Sequence, residues 1–222
     1  MHVLARYEDD GPAALEALAE ACGAGPFAAP APSVPPPLPR GAALTPETVG
    51  MAVAALLPEG AIVAEEAVSS GEAVGRHLTA AQPHDFLPVT GGSIGQGLPV
   101  ALGAALACPG RKVVALEADG SGMYTLQALW TMAREQLDVV TVVLANRRYR
   151  ILDIEMRRTG GTVVGPVANG MIDIGRPNLD WVKLAEGQGV PATRAATADE
   201  FIEQFGRAMG ERGPRLIEAV LG

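Results

Sequence analysis

The chain has 222 residues, 48% of them hydrophobic and 19% charged, so a sizeable core is expected and wholesale disorder is excluded. Lys and Arg total 17 against 25 Asp and Glu, a formal charge of −8, and no basic stripe occurs. That balance argues against nucleic acid or an anionic membrane surface as a partner.

Residues 11–23 (GPAALEALAEACG) read as a short amphipathic helix that stops at Gly23. Prolines at 26, 30, 32, 35, 36, 37 and 39 follow, a density that forbids helix and favours extended backbone. Residues 26–44 are therefore expected to be a linker, and 45–222 the structured domain. Thr45-Pro46 opens a helix to about Leu57, with threonine as cap and proline at the first helical position. Ala61–Glu65 reads as a strand, Ser69–His77 as a helix, and Phe86–Thr90 as a strand entering the glycine-rich loop 91–97. Residues 98–107 form a helix of small residues and Lys112–Glu117 a strand. Ser121–Gln136 reads as one helix, with Met123, Leu126, Trp130 and Ala133 on one face. Val139–Ala145 is a continuous apolar strand, as in a parallel sheet covered on both faces. A helix from about Tyr149, the segment Leu179–Gly187, a strand near 192–195, a helix over 197–211 and a strand over 215–220 complete the pattern.

Strands thus alternate with helices. The expected fold class is α/β, an open, mostly parallel sheet with helices on both faces and a ligand beyond the carboxyl ends of the strands. Trp130 and Trp181 are expected in the core. Cys22 and Cys108 are too few for a disulfide framework or a four-ligand zinc site. Arg6 and the run Glu8-Asp9-Asp10 interrupt any opening signal peptide, and glycines break the uncharged stretch 86–110 before it reaches membrane-spanning length. A cytoplasmic location is the expectation.

Four places could carry chemistry. Asp119 follows a strand and opens a helix, which sets a carboxylate beside free backbone N–H groups. An anion coexists with it there only if a cation such as Mg²⁺ bridges the two. Asn146 lies one helix and one strand later, so an ordinary crossover places it atop the neighbouring strand. Spacing alone leaves another reading open, in which Asp119 caps a helix and Asn146 turns a loop. The loop Gly91-Gly92-Ser93-Ile94-Gly95-Gln96-Gly97 lets backbone approach a ligand, but Val100 occupies the third-glycine position of a dinucleotide fingerprint. That leaves nucleotide binding a weak reading, and the plainer one is a tight turn that packs the small-residue helix 101–107. Glu65-Glu66-Ala67-Val68-Ser69-Ser70 closes the first strand, with serines that suit a phosphate or a helix cap. The three histidines form no cluster.

The stretch ADGSGMYTLQALWTMAREQLDVVTVVLANRRYRIL resembles the diphosphate-binding motif of thiamine-diphosphate-dependent enzymes: Gly-Asp-Gly, a segment of similar length, then Asn. Upstream, GGSIGQGLPVALGAALACPGRKVV resembles the same domain. The likeness spans about 45–222 and is to the acetolactate synthase large-subunit and benzoylformate decarboxylase group. It implies thiamine diphosphate and Mg²⁺ as cofactors and a 2-oxo acid as substrate. Asp119, the side-chain oxygen of Asn146 and the carbonyl of Arg148 would bind the metal. Gly120 and Ser121 would hold the diphosphate from one side, Val68 and Ser69 from the other. Ile94 would prop the cofactor in its bent form. Gly92 and Ile94 would hold the aminopyrimidine edge through backbone groups, with Met123 nearby. Ile151 and Glu155 would face the substrate, and Glu65 and Glu66 would lie on the diphosphate side.

Two departures stand out. Ala118 replaces the first glycine of the motif; in a left-handed backbone it would cost about 1–2 kcal/mol, and in an extended one nothing. The carboxylate that activates the pyrimidine belongs in such enzymes to the first of three domains, often from another subunit. Residues 1–25 resemble the end of a middle domain instead. The resemblance therefore implies a fragment or one half of a split enzyme, working as a homo-oligomer or with a partner that carries the pyrimidine-binding domain. Alternatives are an aromatic 2-oxo acid decarboxylase of the benzoylformate type, and a catalytically incomplete cofactor-binding module.

Overall fold

The computed structural model describes residues 3–6, 8–25, 34–161 and 165–222, so the linker reading of 26–33 lies outside the described residues. The chain divides into two units, Met1–Pro32 and Ser33–Gly222. The first contains helix α1 (Gly11–Ala21), capped by Asp10, whose side chain accepts the Ala13 N–H at 3.1 Å. No residue of α1 is buried.

The second unit is built on six strands: β1 (Ile62–Glu66), β2 (Asp85–Pro88), β3 (Val113–Ala118), β4 (Val139–Ala145), β5 (Ala192–Ala195) and β6 (Arg215–Val220). They form one sheet in the order β2-β1-β3-β4-β6-β5, and every pairing is parallel. The α/β class expected from the alternation is what forms. The chain leaves β1 toward β2 on one side and returns to β3 on the other. The crevice at the carboxyl ends of β1 and β3 is thus the topological switch point, where such sheets bind ligands.

Side chains along β1 and β3 alternate between two buried layers. Val63, Val114 and Leu116 face helices α2 (Pro46–Leu56), α3 (Gly71–Leu78) and α10 (Ala198–Gly210), in a core with Phe201 and Phe205. Ile62, Ala64, Val113 and Ala115 face the opposite layer, which includes α4 (Gly97–Ala107), α6 (Ala128–Arg134) and α9 (Trp181–Gly187). Thr45 and Thr197 start α2 and α10 with reciprocal capping boxes, as the threonine-proline signal at 45–46 indicates for the first.

The segment 121–136 differs from its expectation. Helix α5 (Asp119–Gly122) starts earlier and ends at once, and α6 begins only at Ala128. Gly122 lies against Trp181, where an added Cβ would come within 2.8 Å of the indole, so no side chain fits at this position. The inward face is then Ala128, Leu129 and Met132. Trp181 is buried as expected, whereas Trp130 is 51% exposed, with the Arg134 guanidinium 5.6 Å from its ring centroid. Phe86–Thr90 divides into β2 and a short 3-10 turn, Thr90–Gly92. After α7 (Arg150–Arg158) comes a helix with no counterpart in the sequence reading, α8 (Pro166–Ile172). Among the described residues, no helix is long and apolar enough to cross a membrane.

Candidate functional site

The register pairs Glu66 with Glu117 and Ala118 with Leu144, so the tips of β1, β3 and β4 lie side by side. Asp119 follows β3 directly and is only 2% exposed. Its Oδ1 accepts the Gly120 N–H at 3.0 Å and its Oδ2 the Arg147 N–H at 2.5 Å, so it reaches across to the loop after β4. Burial pushes its carboxyl up to about 6, against the opposing pull of backbone N–H groups from Arg147, Gly120 and Asn146. Asn146 accepts the Arg148 N–H at 2.9 Å through its side-chain oxygen. The turn-type bond of the alternative reading is therefore present at Asn146, whereas α5 carries no side-chain cap hydrogen bond among the described residues. Each accepting oxygen retains a further lone pair.

The loop after β4 is held in place from outside. Arg148 binds Asp153 through two nitrogens, Nε at 2.5 Å and a terminal nitrogen at 3.1 Å, and also reaches Asn169 at 2.7 Å. Its backbone bridges Asp173. Arg147 stands at φ 61°, a left-handed conformation that places its N–H on Asp119. Ala118 is extended, with φ −87° and ψ 152°, so the methyl that replaces the motif glycine carries no backbone strain.

A cavity of about 30 Å³, roughly one water in size, opens at these tips. It is lined by Val68, Ser69, Ile94, Gly120, Ser121, Arg148 and Ile151, together with Ala118, Tyr149 and Arg150. Tyr149 narrows it: the ring lies so close to Gly120 that an added Cβ would meet Cε1 at 2.4 Å. Val68 is strained, a β-branched residue at φ 51°, as happens where surrounding structure dictates a site's backbone. Of the expected site residues, Asp119, Asn146, Gly92, Met123 and Glu155 do not line this cavity; Met123 is 37% exposed, and Glu155 is paired with Arg158 at 2.7 Å. The Ser121 hydroxyl points inward, near the Glu66 carbonyl at 3.1 Å and Glu117 at 3.2 Å.

Sequence reasoning put Glu65 and Glu66 together, and the structure separates them. Glu65 lines an open groove of about 560 Å³ between α3 and β2, which holds none of the expected site residues. Glu66 points to the other face and is fully buried beneath α4, beside Glu117. Burial and the nearby Glu66 push the Glu117 carboxyl well above its ordinary range. Tyr149, Arg150 and Glu117 were not singled out in the sequence. The strand alternation Ile62-Ala64-Glu66 and Val113-Ala115-Glu117 is the signal that could have revealed the glutamate pair.

The donor set suits a hard cation. Among the described residues no three His, Cys, Asp or Glu side chains gather as a ready-made metal cage. One buried carboxylate, one amide oxygen and nearby carbonyls instead match Mg²⁺ shared with phosphate oxygens.

Fold and site together define a class of ligand-binding α/β domain, and the comparisons give it a family. Residues 67–219 match the model of the thiamine pyrophosphate enzyme, C-terminal TPP binding domain. The chain belongs to that family. It is 48% identical, over its whole length, to the Mycobacterium tuberculosis protein named "Putative acetolactate synthase large subunit IlvX", and covers 43% of it. It is 36% identical to benzoylformate decarboxylase of Pseudomonas aeruginosa over 81% of this chain and 33% of that one. A solved thiamine diphosphate-dependent 4-hydroxybenzoylformate decarboxylase of Rhodococcus jostii superposes with a TM-score of 0.77 at 30% identity. That match covers 95% of this chain and 39% of the other. The chain thus spans less than half the length of these relatives.

Proposed function

We propose that the chain is the diphosphate-binding part of an acetolactate synthase-like enzyme, one that uses thiamine diphosphate to condense pyruvate units. The observation that carries this reading is the buried Asp119 carboxylate, tied to the loop that starts at Asn146, beside the β1–β3 switch point. The likeness over the full chain to the M. tuberculosis relative supports the substrate class.

In this reading Asp119, the Asn146 amide oxygen and the Arg148 carbonyl hold Mg²⁺. One carboxylate suffices because diphosphate oxygens bring further charge. Gly120, Ser121, Val68 and Ser69 enclose the diphosphate; the inward hydroxyl of Ser121 leaves its backbone to make the contact. Ile94 supports the bent cofactor, Gly92 and Met123 lie toward its pyrimidine side, and Ile151 and Glu155 toward the substrate. When bound, thiamine diphosphate supplies a nucleophilic carbon that adds to a 2-oxo carbonyl and takes up the electron pair released with CO₂. The residues of this chain bind and orient it and keep water out.

The activating glutamate comes from a pyrimidine-binding domain, supplied by a homo-oligomer (dimer or tetramer) or a separate partner. The setting is cytoplasmic, with neither nucleic acid nor membrane as partner. Without the glutamate the chain is a cofactor-binding module that does not turn over. A second reading, decarboxylation of an aromatic 2-oxo acid, is favoured by the superposition on the R. jostii decarboxylase.

Calorimetry with Mg²⁺ and thiamine diphosphate tests the cofactor assignment. The wild type should bind, and Asp119→Ala should not; equal affinity would overturn the metal ligands. Product analysis with pyruvate and with benzoylformate, with a pyrimidine-binding subunit added, separates the readings. Acetolactate supports the first and benzaldehyde the second.

A further inference from the structure

The least expected groups in this core are two carboxyls. Glu66 and Glu117 take the last inward positions of β1 and β3, in line with Ile62, Ala64, Val113 and Ala115. Both are 0% exposed. Burying a carboxylate costs several kcal/mol unless hydrogen bonds replace water. Glu117 receives little, since among the described residues its Oε1 has no hydrogen-bond partner. Glu66 is fully served: Oε1 accepts the N–H of Gly95 at 2.6 Å and of Gln96 at 3.3 Å, and Oε2 accepts that of Gly97 at 2.8 Å.

Those three N–H groups are the entry to α4, an 11-residue helix whose own N-cap, Gln96, makes no side-chain cap bond. Glu66 is therefore its cap, supplied from about thirty residues earlier. The Gln96 amide is spent elsewhere, donating to the carbonyls of Thr90 at 3.0 Å and Ser93 at 2.6 Å. The loop is thus fastened twice, by its own glutamine over 90–93 and by Glu66 over 95–97. Gly97 shows how close the second fastening is. A Cβ there would stand 1.9 Å from Glu117 Oε1 and 2.8 Å from Glu66 Cβ. Ile94, next to Gly95, lines the cavity, and the Glu66 carbonyl faces the Ser121 hydroxyl at 3.1 Å. One residue thereby touches both segments assigned to the cofactor.

We propose that Glu66 is a positioning residue for the cofactor: its carboxylate fixes the Gly95–Gly97 backbone, and with it the place of Ile94 against the organic part of thiamine diphosphate. The inference rests on the cofactor reading above. It gives Glu66 no part in metal or diphosphate binding, which fall to Asp119 and Asn146. Glu66→Gln keeps the volume but offers one accepting oxygen where the loop presents three donors.

The test is calorimetry on the full chain with Mg²⁺, using thiamine diphosphate and inorganic diphosphate as separate probes. Glu66→Gln should bind thiamine diphosphate about tenfold more weakly than wild type, while inorganic diphosphate binds within about twofold of it. Gln96→Ala, which cuts only the loop's own fastening, should stay near wild type with both probes. Equal affinity of Glu66→Gln and wild type for thiamine diphosphate overturns the proposal, as do equal losses for both probes or a Gln96→Ala loss as large as that of Glu66→Gln. A wild type that binds neither probe overturns the cofactor reading itself, and this inference with it. Should Glu66→Gln fail to fold, amide hydrogen exchange on the wild type decides. The Gly95 and Gly97 amides should exchange far more slowly than those of Gly91 and Gly92, and comparable rates overturn the proposal.

Discussion

The two ends of the sheet treat charge in opposite ways. At the amino ends, Lys112 meets Asp138 at 2.5 Å and the Glu211 carbonyl at 2.6 Å. Nearby Arg111 binds the Gly60 carbonyl at 2.6 Å and Asp85 at 2.7 Å. At the carboxyl ends of β1 and β3, Glu66, Glu117 and Asp119 are buried, and none is in an ion pair among the described residues. Away from the switch point the rule reverts: buried Glu218 of β6 pairs with Arg194 of β5 at 2.9 Å. Paired charge closes the bottom and the far edge, where only stability is at stake. The unpaired carboxyls collect at the carboxyl ends of β1 and β3, beside the switch point.

The largest expected effect lies at the top. Asp119→Ala should lower Mg²⁺-dependent thiamine diphosphate affinity at least about a hundredfold, by calorimetry, with little loss of stability. Retained affinity would erase the contrast between the ends. At the bottom the effect should reverse. Lys112→Met leaves Asp138 and a carbonyl without their cation, so urea unfolding should show a loss of about 2 kcal/mol, with cofactor affinity unchanged.

Glu117 adds a pH signature. Its folded carboxyl lies above the unfolded value because of burial and the neighbouring Glu66, with Ser121 pulling the other way and Glu65 adding slightly. The folded state therefore holds the proton more tightly. That contribution is fully present below the unfolded value of 4.5 and fades as pH rises toward the folded one. Glu117→Gln should match wild type near the lower limit and gain on it with rising pH in thermal melts; parallel curves would refute this. The smallest effect belongs to Val68. Glycine there relieves the φ 51° strain at the expense of a freer unfolded chain, so Val68→Gly should shift stability by no more than about 1 kcal/mol.

The strands and the Asp119–Asn146 relation were legible because both follow from short-range pattern. Continuous apolar runs such as Val139–Ala145 announce buried parallel strands, and one helix plus one strand of separation announces neighbouring tips. What failed depended on distant partners. Gly122 sits against Trp181 with no room for a side chain, and α6 starts seven residues later than the periodicity implied, turning Ala128, Leu129 and Met132 inward and leaving Trp130 outside. The glutamate pair escaped because Glu66 and Glu117 look like ordinary strand-end carboxylates until the register sets them side by side.

Ala118 bears on how such domains are found. Its backbone is extended and its methyl is accommodated at 8% exposure, so the position requires a small residue and not a flexible one. A pattern search that insists on glycine there tests the wrong property and would pass over this chain. A better rule asks for a small side chain closing an apolar strand, then Asp-Gly, then an asparagine at the tip of the next strand.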